Sequence, residues 1–117
     1  MQDVSYGLRE HVKALPAGMN DPELLKHVQN LESRVQARFT IVDSEGQVLV
    51  DSRTGYKDIG NHGSRPEIIE ARQKGIGFQQ RTSETLNLPL LYLAIPLYEP
   101  GESIPRFCIV NLCIESN

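Results

Sequence analysis

Between Arg38 and Asp51 the chain reads RFTIVDSEGQVLVD, and no other segment restricts the fold so much. Phe39 and Ile41 are spaced by two, the period of a half-buried strand. Asp43-Ser44-Glu45-Gly46 then interrupts the apolar run. The Asp carboxylate can cap a turn, and Gly takes a positive φ at no steric cost. Strands over 38–42 and 47–51, joined by so short a D-x-x-G connection, form an antiparallel hairpin. A second constraint comes from Leu90 to Leu97, LLYLAIPL. It is apolar on both faces, as expected of a central strand covered on both sides. Phe78 to Ser83 alternates weakly and reads as a strand with one wet face. Phe107 to Ile114 is the last strand. Leu86–Pro89 and Glu99-Pro100-Gly101-Glu102 supply the connections.

Helical spacing appears in three places. Val4, Leu8, Val12 and Leu15 form one stripe, broken by Pro16-Ala17-Gly18. Asp21 as N-cap and Pro22 at the first helical position restart a helix. Its stripe, Leu24, Val28, Leu31 and Val35, is close to a heptad seam. Such a stripe packs on a sheet or, in part, pairs with the same helix of a second subunit. Ser64-Arg65-Pro66-Glu67 has the form of a capping box, with the Ser hydroxyl and the Glu carboxylate each satisfying an orphan N–H. Ile68, Ile69 and Ala71 supply the buried side of that short helix, and Gly75 its stop. From Ser52 to Gly63 there is no apolar periodicity, which predicts a surface loop. The order is α-α-β-β-α-β-β-β, an α+β fold. It predicts one five-stranded antiparallel sheet with helices mostly on one face and a short helix between strands 2 and 3. Residues 1–117 form a single domain, with helices over 1–37 and the sheet with its inserted helix over 38–114.

Composition excludes several functions. A chain of 117 residues with formal charge −3 and no dense Lys/Arg run offers nucleic acid no electrostatic footprint. There are two cysteines, Cys108 and Cys113. Five positions apart on one strand, they point to opposite faces and cannot bridge. Two thiols are also too few for a metal framework. No G-x-S-x-G elbow, P-loop or G-x-G-x-x-G is present. Asp51, Ser52 and His62 are the residue types of a hydrolytic triad, but short polar residues between a strand and a helix are commonplace. His11, His27 and His62 lack metal-ligand spacing. No catalytic residue, metal site or cofactor is expected. No run of about 18 apolar residues is present. The chain starts inside an amphipathic pattern and stops directly after a strand, so a piece of a longer protein is expected.

One cluster has the chemistry of a binding site. Arg65 sits at a predicted helix N-terminus, where N–H groups and the dipole favour an anion. Arg81 on one strand and Tyr92 on the next can line the same concavity, with His62 at its rim. Such a cluster suits a small carboxylate or phosphate. Alternatively, Arg65 pairs with Asp51, Asp58 or Glu67 and ties the loop down, and His62 caps a turn.

Asn61-His62 with Arg65-Pro66-Glu67-Ile68, then Arg81-Thr82-Ser83, then Leu91-Tyr92-Leu93-Ala94-Ile95-Pro96 resemble the N-H-x-x-R-P-E-I, R-x-S and L-Y-x-A-x-P runs of one family. These are the extracytoplasmic sensors of PhoR- and WalK-type membrane histidine kinases, and the resemblance covers roughly residues 35–114. It implies a PAS-like fold of the PDC or Cache kind, lying outside the membrane between two transmembrane helices that this chain does not include. It implies a non-enzymatic signal-sensing domain of a two-component system, homodimeric in the full-length protein. Its input is a small anionic ligand or a protein partner, and the kinase core lies outside this chain. The same domain feeding a chemoreceptor or a diguanylate cyclase is the alternative, as is a cytoplasmic PAS-like interaction scaffold.

Overall fold

The computed structural model describes residues 21–56, 60–82, 87–98, 101 and 103–113, the side chain of Cys113 excepted. The Val4–Leu15 stripe, Asp58, Ser83 and the partner face of Cys113 lie outside the described residues. Helix α1 spans Asp21–Val35, strand β1 Arg38–Val42, β2 Val48–Asp51, helix α2 Pro66–Lys74, β3 Gly77–Thr82, β4 Pro89–Leu97 and β5 Arg106–Cys113. The five strands make one sheet in the order β2-β1-β5-β4-β3, every pair antiparallel. This is the predicted α+β architecture.

The hairpin forms as its turn chemistry requires. Asp43 accepts from the backbone N–H of Glu45 and Gln47 through its carboxylate, at 2.9 and 3.0 Å. Gly46 stands at φ 94°. The register is not regular, however. Thr40 pairs with Asp51 and Ile41 with Val50, but Val42 pairs with Val48, so Leu49 bulges out. The bulge places Val48 and Asp51 on one face of the sheet although three positions separate them.

Alternation along the strands builds two cores. Leu24, Val28 and Leu31 of α1 meet Phe39, Ile41, Val50, Leu91, Leu93, Ile95, Cys108 and Val110 on one face. Ile68 and Ala71 of α2 meet Val42, Val48, Ala94, Phe107 and Ile109 on the other. The expectation of helices mostly on one face is thereby corrected. A central strand apolar on both sides needs cover on both, and α1 and α2 divide that task. Val35, the last position of the stripe, is only partly buried against the first core. Gln36 closes α1 in the left-handed region at φ 61°, its N–H donating to the Glu32 carbonyl at 2.8 Å.

Both helix starts differ from the sequence reading. Asp21 is the first residue of α1 rather than the cap ahead of it. At α2 the cap position falls to Arg65, one residue after Ser64, and no side chain caps the helix. Pro66 at the first helical position sets this register. Glu67 is the other half of the expected capping box, but it is fully buried and turned towards β3. Two charge-assisted hydrogen bonds to Arg81 outweigh one to a backbone N–H. Gly75 does end the helix, at φ 86° with its N–H on the Ala71 carbonyl. Gly77 then lets β3 pass hard against α2. A Cβ at this position would stand 1.7 Å from the Glu67 carbonyl oxygen.

Candidate functional site

The sheet face under α2 carries a row of polar side chains set by register. Arg38 lies beside Asn111, and Asn111 beside Tyr92. One rung along, Asp51 lies beside Thr40, and Thr40 beside Ile109. These two rungs floor a cavity of about 100 Å³, with His62 and Arg65 completing its lining.

The floor is held by Asp51, which is fully buried. Arg38 Nε donates to both of its carboxylate oxygens, at 3.1 and 3.0 Å. The Thr40 hydroxyl donates at 2.7 Å, and the backbone N–H groups of Arg53 and Thr54 at 2.8 and 3.2 Å. Burial alone would raise this carboxyl. The Thr40, Arg53 and Thr54 hydrogen bonds and the Arg38 charge outweigh it and hold Asp51 below the ordinary carboxylate value. A carboxylate so fully engaged is a scaffold rather than a base. The neighbouring Ser52 is also committed, its Oγ accepting from the Phe39 N–H at 3.0 Å. Neither residue is arranged as part of a hydrolytic triad.

The other wall is built by the Asn61–Arg65 run. Asn61 donates to the Glu45 carbonyl at 3.3 Å and accepts from the Gly63 N–H at 2.8 Å. The His62 N–H donates to the Gly46 carbonyl at 2.8 Å. Arg72 of α2 donates to the carbonyls of Gly63 and Ser44, each at 3.0 Å. Hairpin tip, loop and helix thus form one locked unit, which turns His62 and Arg65 towards the cavity. Arg65 Nη2 lies 3.2 Å from His62 Nε2. A guanidinium only donates, so in this contact the His nitrogen is the acceptor.

Of the four residues singled out from sequence, His62, Arg65 and Tyr92 line this cavity. Arg81 does not. It stands behind Tyr92, its guanidinium carbon 3.7 Å from the ring centroid. It donates to both oxygens of Glu67, at 2.9 and 3.2 Å. Those hydrogen bonds raise the Arg81 pKa further, against the effect of burial. Of the partners proposed for Arg65, Asp51 belongs to Arg38 and Glu67 to Arg81, while Asp58 lies outside the described residues. Among the described residues Arg65 meets no carboxylate.

Sequence reasoning missed Arg38, Thr40 and Asn111. A signal for the first was present. Arg38 and Asp51 are ionisable residues near the open end of an otherwise apolar hairpin, where opposite charges pair across strands. Asn111 carried a weaker one, as the polar residue inside the apolar run of β5. Its amide oxygen is buried without a protein hydrogen-bond partner.

No family model matches the chain, and no curated protein does. Solved structures do. The sensor domain of the V. cholerae histidine kinase DctB superposes with a TM-score of 0.66 at 15% identity, covering 93% of this chain and 49% of that one. The ligand-binding domain of the Campylobacter jejuni chemoreceptor Tlp3, in complex with 4-methylisoleucine, superposes with a TM-score of 0.62 at 13% identity. There the match covers 90% of this chain and 47% of that one. The chain spans about half the length of the solved chains it matches. At these identities the likeness is one of fold, and the fold is one that sensor domains use.

Proposed function

We propose that this chain is the extracytoplasmic input domain of a PhoR/WalK-type membrane histidine kinase, binding a small anion and performing no chemistry itself. The observation that carries the reading is the cavity under α2. A cationic Arg65 borders it, the Asn111 amide oxygen is buried beside it unsatisfied, and Asp51, the one carboxylate among its described lining residues, is neutralised by Arg38. An anion there would meet Arg65, while a donor group on the same ligand would satisfy Asn111. About 100 Å³ is well below the roughly 300–1,000 Å³ of ordinary ligand pockets. The fitting class is therefore a small carboxylate or phosphate. His62, Arg65 and Tyr92 are the proposed contacts, and Arg81 supports Tyr92 from behind.

The N-H-x-x-R-P-E-I run supports the kinase assignment. In this fold its Asn locks the hairpin tip, its His and Arg border the cavity, and its Glu anchors α2 to β3. The likeness to a chemoreceptor domain supports the second reading, in which the same input feeds a chemoreceptor. In either case the full-length protein would be a membrane-anchored homodimer.

Thermal melts of the wild type and Arg65→Ala, against a panel of carboxylates and phosphates, test the site. A ligand should raise the wild-type melting point and leave the variant's unchanged. Loss of the charge-assisted contact should weaken binding by roughly 1.5–3 kcal/mol. If no compound shifts the wild type, the small-anion reading fails. Ligand-dependent autophosphorylation of the full-length protein, lost with Arg65→Ala, separates the kinase from the chemoreceptor.

A further inference from the structure

Strand β3 ends the sheet, and among the described residues nothing pairs with its outer edge. Its pairing with β4 is unbroken from Gly77 to Thr82. Edge strands are commonly blunted by Lys, Pro or a bulge, and GFQQRT has none of these. One device is present instead. The Glu70 carboxylate of α2 reaches over and accepts from the Phe78 N–H at 2.6 Å, while Lys74 holds its other oxygen at 3.4 Å. The Phe78 N–H therefore points away from β4. By the alternation of an antiparallel ladder, the backbone groups of Gln80 and Thr82 point outward too. Phe78 itself is 52% exposed beside this edge.

We infer that the β3 edge is a self-pairing surface for a second copy of this chain, with the Glu70 carboxylate as its guard. The strand is self-complementary about Gln80. An antiparallel two-fold through that residue sets Gln80 against its symmetry mate, Phe78 against Thr82 and Gln79 against Arg81. Residues with outward backbone groups then face one another, so the hydrogen-bonding parity closes. No like charges are opposed. Arg81 is already held by Glu67 on the α2 face, and the exposed Phe78 ring gains a β-branched neighbour across the seam. A six-residue strand spans only about 20 Å. So short a seam falls below the roughly 1,200 Å² that stable interfaces bury, and the dimer it forms is weak. This inference does not depend on whether the cavity holds a ligand.

Sedimentation velocity of the 117-residue chain, from about 10 μM to 1 mM, tests it. These concentrations match the weak affinity expected of a small interface. The wild type should show concentration-dependent association. Glu70→Ala should tighten it roughly tenfold by freeing the Phe78 N–H. Gln80→Pro removes the central outward N–H, which an edge strand tolerates, and should abolish association. Gln80→Lys leaves the backbone intact and sets two ammonium groups against each other across the axis. It should abolish association even if the Pro variant fails to fold. Hydrogen exchange at the Thr82 amide should slow with concentration in the wild type and in Glu70→Ala, and in neither Gln80 variant. Two results overturn the inference: wild type and Glu70→Ala both monomeric at 1 mM, or association that survives both Gln80 changes, as pairing through the Val4–Leu15 stripe would.

Discussion

Replacing Arg81 by Ala should be among the most damaging single changes at the surface of this domain, and the structure says by how much. Its partner Glu67 has a side chain that is 0% exposed, and two hydrogen bonds join the pair. Stranding one member of a buried pair costs about 3–5 kcal/mol. Arg81 is itself 36% exposed, so solvent already screens part of the interaction and brings the cost below that range, to about 2–3 kcal/mol. Loss of the stack on Tyr92 adds about 0.5–1 kcal/mol. The total, about 3 kcal/mol, is a large share of the roughly 5–15 kcal/mol by which a domain is stable. In urea the unfolding midpoint should fall by about 1–3 M. Replacing both partners with apolar groups, Glu67→Leu with Arg81→Met, removes the stranded charge and should recover at least half of the loss. A loss below about 1 kcal/mol for Arg81→Ala would refute the argument. So would a double variant no more stable than the single one.

Asp51 makes part of the stability pH-dependent. Its folded-state pKa lies below the ordinary 3.8, so its contribution is complete above about pH 5 and is lost as the pH falls through about 4 and below. Asp51→Asn should lower stability at pH 7 by about 2–4 kcal/mol and flatten the acid limb between pH 5 and 2, read from urea midpoints; an unchanged limb would contradict it. Gly77→Ala should cost more than about 3 kcal/mol, because the Glu67 carbonyl occupies the space of the new methyl and backbone must move. A soluble variant with a native melting point would show that α2 can shift freely. Gln36→Gly should raise stability by about 0.5–1 kcal/mol, since a left-handed backbone costs a residue with a Cβ roughly 1–2 kcal/mol and glycine's greater unfolded-state freedom offsets about half of that; thermal melts measure it.

The cavity shows how a site can be half visible in a sequence. His62, Arg65 and Tyr92 could be named because turn, helix start and strand each carry a local signature. Arg38 and Asn111 carried only the signal of a polar residue in an apolar strand, because their place in the site depends on which strands are neighbours. β1 lies against β5, separated from it in sequence by the rest of the sheet. Arg81 was assigned to the cavity on its charge and its place on the strand before that of Tyr92. Its side chain is on the correct face, but it is one strand too far out, and the fully buried Glu67 captures it.

Local periodicity and turn chemistry determined the existence and type of the described elements from sequence alone. The Asp43–Gly46 turn, the Leu24, Val28 and Leu31 stripe, the Gly75 stop and the two-faced apolar β4 all act within a few residues of chain. They hold whatever packs around them. Only the tertiary structure decided which helix covers which face, the bulge at Leu49 and the partners of Asp51 and Glu67. Each of these depends on register, and one residue of shift moves every side chain to the opposite face. The Ser64–Glu67 capping box failed for the same reason. Its satisfaction of two N–H groups was worth less than burying a carboxylate against an arginine fourteen positions away.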